Sequence, residues 1–153
     1  MLEPSFHGAR RASWTWQVDR SVPPSDLSRI GADDCNLGMF FVSLDARSVD
    51  RVSPGTNIRS LMTNRAARIL MYTWGGNTPP GTVVPSPHAQ DRLRNLITRE
   101  AGTGRFAEQA DLAADFLKVF GQLLDRLVAV AASSNSENTP ARIKATVSAL
   151  TLT

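Results

Sequence analysis

The longest run of regular apolar spacing in the chain extends from Arg105 to Ala132. Apolar residues fall at Phe106, Ala110, Ala113, Leu117, Phe120, Leu124, Leu127 and Ala131, four and three residues apart in turn. That spacing places them on one face of a helix. A second row, Leu112, Phe116, Val119, Leu123 and Val130, lies beside the first, and Ala107, Ala114, Gly121 and Val128 form a third. At ~100° per residue, apolar groups would cover roughly two thirds of the circumference, about twice what a surface helix needs. Gly121 costs about 1 kcal/mol against alanine inside a helix, and its place among small residues suggests a close backbone there. Such a helix would be ~42 Å long, against a radius of gyration of about 15 Å for a compact domain of this size. It reads either as the core helix of a monomer or as a helix shared with a second subunit.

Alternation marks the strands. Trp14, Trp16 and Val18 face one way between Ser13 and Asp19, with polar residues opposite, as in a strand covered on one face. Residues 20–37 carry Pro23-Pro24, Gly31 and Asp33-Asp34 and read as a long loop. Leu37–Leu44 has apolar residues on both faces and belongs inside a sheet. Ser53-Pro54-Gly55 reads as a turn, followed by a short helix capped at Thr56 or Asn57 and carrying Ile58, Leu61 and Met62. Ala66–Trp74 is a third strand, broken by Gly75–Gly81, and Val83-Val84 adds a short one.

Ser86-Pro87 looks like a helix start, serine at the cap and proline at the first helical position. Ala89, Leu93, Leu96, Ile97 and Ala101 make its apolar face, and Gly102 its C-cap. The short loop 102–104 then predicts an antiparallel helical hairpin over 86–132. A polar loop, Ser133–Pro140, leads to a C-terminal strand from Arg142 to Leu152. Ile143, Ala145, Val147 and Ala149 share one face, while Leu150 and Leu152 add apolar groups to the other. This strand returns to its own sheet or joins a neighbour's. The expected fold is a single α+β domain over 1–153: a strand-rich part, 1–84; a helical hairpin, 86–132, containing one long helix; and a C-terminal strand, 141–153, with the small sheet mostly antiparallel.

Composition narrows the class. With 42% apolar and 20% charged residues, the chain is neither disordered nor fibrous. The strictly aliphatic run Leu127–Ala132 is too short to cross a bilayer. The first residues lack a signal peptide's basic start and apolar core, so the default location is cytoplasmic or within a particle. One cysteine, Cys35, excludes an internal disulfide and a cysteine-rich zinc site. The net charge of +3 is uneven: residues 54–105 hold seven arginines against Asp91 and Glu100, a net +5, and the segments on either side are each −1. A basic middle can neutralise phosphates or simply form a solvated surface.

Candidate chemistry is sparse. The histidines are His7 and His88. Cys35 could act as a nucleophile with either, but no local sequence resembles a nucleophile motif. Asp33-Asp34 read as turn residues rather than a metal site, because no further ligands lie nearby in sequence. Gly75-Gly76-Asn77 lacks the lysine and helix of a phosphate loop. No catalytic, cofactor or metal residue is assigned. The best patch is Arg68, Tyr72 and Trp74, with Arg92, Arg94 and Arg99 in the same basic segment. Aromatics beside arginine stack bases, anchor protein interfaces, or form core.

The leading expectation is a non-enzymatic structural or assembly subunit, a homo-oligomer such as a viral or phage-like particle component. Its interface would be Leu112, Phe116, Val119, Leu123 and Gly121 on the long helix, with Leu150 and Leu152 on the terminal strand. The alternatives are a nucleic-acid-binding module using 54–105 and a small enzyme using Cys35 or His88.

Overall fold

The computed structural model describes residues 1–52, 56–89 and 91–153. The turn expected at Ser53-Pro54-Gly55 lies outside them. The strands are β1 (Arg11–Arg20), β2 (Cys35–Leu44), β3 (Arg68–Trp74), β4 (Val83–Pro85), β5 (Leu93–Arg99), β6 (Gly104–Asp111), β7 (Arg126–Asn135) and β8 (Lys144–Leu152). The helices are α1 (Ala46–Val49), α2 (Ile58–Thr63) and α3 (Leu112–Phe120). β6, β1 and β8 make an antiparallel three-stranded sheet; β4, β5, β3, β2 and β7, in that order, make a five-stranded one. All pairings are antiparallel except β3 with β5.

The two sheets meet over an aromatic core. β1 contributes Trp14, Trp16 and Val18; β2 contributes Leu37, Met39 and Phe41; β3 contributes Leu70, Tyr72 and Trp74. Ring centroids lie 5.3 Å apart for Trp14 and Tyr72, 5.6 Å for Trp16 and Trp74, and 5.2 Å for Trp74 and Phe106. Each side of the five-stranded sheet has its own cover. Val42, Leu44, Ile69 and Leu93 pack with Leu61 of α2 in a second cluster, and Leu27, Cys35, Met71, Val84 and Ile97 form a third. β2 therefore has two buried faces, as its apolar pattern requires.

The α+β expectation is corrected. Among the described residues strands hold 44% and helical residues 14%, and the helical hairpin over 86–132 is not formed. That span instead holds β5, β6, the short α3 and the start of β7. In β6, Phe106, Glu108 and Ala110 point inward and Arg105, Ala107, Gln109 and Asp111 outward. The inward carboxylate of Glu108 accepts hydrogen bonds from Trp16 Nε1 at 2.9 Å and Arg99 Nε at 2.7 Å. That polar residue on the core face, opposite an outward alanine, hides the alternation. In β7, Leu127, Val128 and Ala129 are all buried, because both faces are covered and the register with β2 slips between Val42 and Ser43. Val128 is the extra residue of this bulge. A continuous apolar run of this kind fits helix and strand spacing alike.

Only α3 survives from the expected long helix. Asp111 caps it, accepting from the Ala114 amide at 3.0 Å, and Leu112, Phe116 and Val119 dock on the aromatic core. Gly121 ends it with φ 66°. A Cβ there would meet nothing within 4 Å, so the glycine serves the left-handed turn and not a close helix contact.

Trp16 is fully buried at the seam between the sheets. Trp16→Ala should lower unfolding free energy by roughly 3–5 kcal/mol, read as a reduced urea midpoint. A loss below 1 kcal/mol would show that the seam repacks freely.

Candidate functional site

The richest polar cluster lies where the loop 20–34 enters β2. Buried polar groups need partners, and here Asn36 has them all: its side-chain oxygen accepts from the Val22 amide at 2.9 Å, and its amide donates to Ser21 Oγ and the Gly102 carbonyl. Asp34, two residues earlier, is wholly buried. Its Oδ1 accepts from the backbone and side-chain amides of Asn138 at 3.1 and 3.0 Å, and its carbonyl accepts from the Ser25 hydroxyl. Asp34 Oδ2 has no hydrogen-bond partner among the described residues, and neither does the buried Thr139 Oγ1. Asp33 Oδ2 lies 2.8 Å from His88 Nε2. The cluster thus ties together four loops: the β1–β2 connection and those between β4 and β5, β5 and β6, and β7 and β8.

The residues offered for nucleophilic chemistry do not form a reactive pair. Cys35 is buried, and burial, reinforced by the charges of Asp33 and Asp34, pushes its thiol up to about 12. It stays protonated at neutral pH, and the thiolate is the nucleophile. Gly75 seals it in: a Cβ at its φ of 150° would lie 2.9 Å from Cys35 Cα. His88 is exposed, and its hydrogen-bonding partner is Asp33. Among the described residues, no three His, Cys, Asp or Glu side chains are grouped to hold a metal ion.

The aromatic-arginine patch is divided by the sandwich. Tyr72 and Trp74 face the core. The Tyr72 hydroxyl donates to Asp115 Oδ2 at 2.6 Å, and burial, then this bond, raises its pKa. Base stacking on either ring would require opening the sheets. The arginines are spent on local contacts. Arg68 bonds the carbonyls of Arg65 and Ala67; Arg92 those of Met62 and Asn64; Arg94 that of Val119. Arg99 pairs with Glu108 and lies 3.4 Å over the Phe106 ring.

The residues expected at an interface also separate. Leu112, Phe116 and Val119 are core, Gly121 is an exposed cap, and Leu123 is 76% exposed after α3. Leu150 and Leu152 belong to β8. There Ser13 pairs with Thr151 but Thr15 with Ser148, so β8 has one extra residue, and Ala149 takes φ 53°. This bulge shifts the alternation by one residue. Ala145 and Val147 pack on the core before it and Leu152 after it, while Leu150 stays 41% exposed. β8 forms one side of the three-stranded sheet, paired to β1 alone among the described residues. After Lys144 it carries no charge.

Asp33 and Asp34 stand out in the sequence, but Ser25 and Asn138 do not show there as the partners of Asp34. The polar stretch Asn135–Thr139 was a visible signal, but its partners precede it by the whole body of the domain. The protonated, buried state of Cys35 predicts that a disulfide-exchange thiol reagent at pH 8 will label the native protein at least a hundredfold more slowly than the urea-unfolded chain; equal rates would place the thiol at the surface.

No helix among the described residues is long and apolar enough to cross a membrane. No curated protein and no solved structure matches the chain. A family match, to a protein of unknown function, spans residues 5–151, and the chain therefore belongs to the DUF3047 family.

Proposed function

We propose that the domain is a non-enzymatic module that self-associates, with β8 as the strand through which two copies pair. The long helix that suggested a particle subunit is not formed, so the reading rests on one observation: the outer edge of β8 is unpaired among the described residues and carries no charge after Lys144, with Leu150 exposed beside it. An edge strand carries a row of backbone donors and acceptors that another strand can satisfy, and proteins that stay monomeric usually blunt such edges with charge or proline. Antiparallel pairing of β8 with its copy about a two-fold axis would join two three-stranded sheets into one. It would set Lys144 near Leu152 of the other copy, so that the two lysines do not face each other. Lys144 already lies 3.4 Å from Asp19 of its own chain.

Light scattering across concentration should give a dimer or a larger closed oligomer that nuclease does not change. Leu150→Lys should return it to monomer and leave the melting temperature of the fold nearly unchanged, since surface substitutions usually lie within about 0.5 kcal/mol. A monomer at every concentration, or an oligomer indifferent to Leu150→Lys, overturns the reading. A monomer whose 260/280 nm absorbance ratio falls on nuclease treatment would instead favour the basic segment 54–105 as a nucleic-acid site.

A further inference from the structure

We infer that the cleft between β5, β6 and α3, at the side of the sandwich, binds a small carboxylate with a flat apolar body, held by the Trp14 indole within and by Lys118 at the mouth. The cleft has a volume of about 260 Å³, just under the ~300 Å³ at which pockets for drug-sized ligands begin. Trp14, Tyr72, Leu96 and Ile97 give it aromatic and aliphatic walls. Trp14 is the observation that points to a ligand. It is 2% exposed, and its Nε1 has no hydrogen-bond partner among the described residues. A buried N–H without an acceptor keeps its desolvation penalty uncompensated. The indole packs against the rings of Trp16, Phe41 and Tyr72, at centroid distances of 5.5, 5.8 and 5.3 Å, and the Tyr72 hydroxyl is committed to Asp115. The cleft is the side from which an acceptor can reach it. Trp16 shows what is missing: its indole donates to the Glu108 carboxylate at 2.9 Å.

The lining selects the ligand's charge and shape. Lys118 is exposed in the lining and has no ion-pair partner among the described residues. Glu108 is the acid in the lining, and its charge is balanced by Arg99 at 2.7 Å. The groups left over are therefore donors, an N–H and an ammonium, and they ask for an acceptor with negative charge. The walls between them are apolar, which disfavours a bare phosphate or a sugar and suits a ring or a short branched chain.

Benzoate, a probe of this shape and charge, should be titrated into nitrogen-15-labelled protein and followed by NMR at the Trp14 indole N–H and at the backbone amides of Gly81 and Thr98, which also line the cleft. All three resonances should move together and saturate. Benzamide, which keeps the ring and loses the charge, should bind roughly threefold more weakly, the scale of one exposed ion pair. Lys118→Gln should bring benzoate down to the benzamide level, and the exposed control Arg29→Gln should change nothing. Trp14→Phe, which keeps an aromatic ring and removes the N–H, should weaken benzoate roughly tenfold, as expected for a hydrogen bond to a charged group; if that variant does not fold, Lys118→Gln and benzamide carry the test. A Trp14 indole resonance that stays still, or shifts that never saturate, would overturn the inference and leave the N–H to water or to a neighbouring ring. Equal binding of benzoate and benzamide, indifferent to Lys118→Gln, would overturn it as apolar adsorption without a carboxylate site.

Discussion

The seam between the two sheets is made by aromatic rings in edge-on and tilted contact. Trp14 and Trp16 on β1 meet Tyr72 and Trp74 on β3, with Phe41 and Phe106 closing the ends. Each such pair contributes about 0.5–1.5 kcal/mol beyond the area it buries. Much of the surrounding structure keeps this seam dry and gives the Trp16 indole a partner, while the buried Trp14 Nε1 has none among the described residues. Glu108 turns inward because the Trp16 indole needs an acceptor. Arg99 follows it inward to balance the charge. α3 lays Phe116 and Val119 on the seam, and Tyr72 sends its hydroxyl to Asp115 on the same helix.

How much of this was legible depended on whether a strand had one wet face. β1 shows clean alternation, and Trp14, Trp16 and Val18 announce it. β2 and β3 were readable from their apolar and aromatic content, and β3 also from the glycines that end it. β5, β6 and β7 were misread together as helix. In β6 a single inward glutamate inverted the apparent pattern. In β7 two covered faces and a bulge erased it, and alanines, which suit a helix as well as a buried strand, removed the remaining composition signal. Gly121 and the cap of α2 were informative in kind: Asn57 does cap α2, but Gly121 marks a helix end and not a helix crossing. The bulge at Ala149 explains what spacing alone could only note, that Leu150 and Leu152 break the phase of β8.

The polar cluster was less legible than the fold, for a reason of scale. Asp33-Asp34 and Asn138-Thr139 are each unremarkable in isolation, since short polar residues are ordinary in loops. Their meaning arises only when β2 and β7 pair antiparallel and bring the start of one beside the end of the other. The basic segment shows the converse. Its charge is plain in the sequence, yet the contacts of Arg68, Arg92, Arg94 and Arg99 are with local carbonyls, a carboxylate and a ring. Net charge speaks to attraction at a distance, not to which guanidinium is already engaged.

The strand order has a consequence in time. β1 is made before the other strands, but its partners among the described residues are β6 and β8, so the small sheet cannot be complete until residues 144–152 exist. Until then β6 alone is available to hold Trp14 and Trp16 over the seam. Topologies dominated by such distant pairings fold slowly, on the order of milliseconds to seconds, and expose sticky surface while they wait. The same late strand that finishes the domain therefore sets how long a newborn chain remains vulnerable to its neighbours.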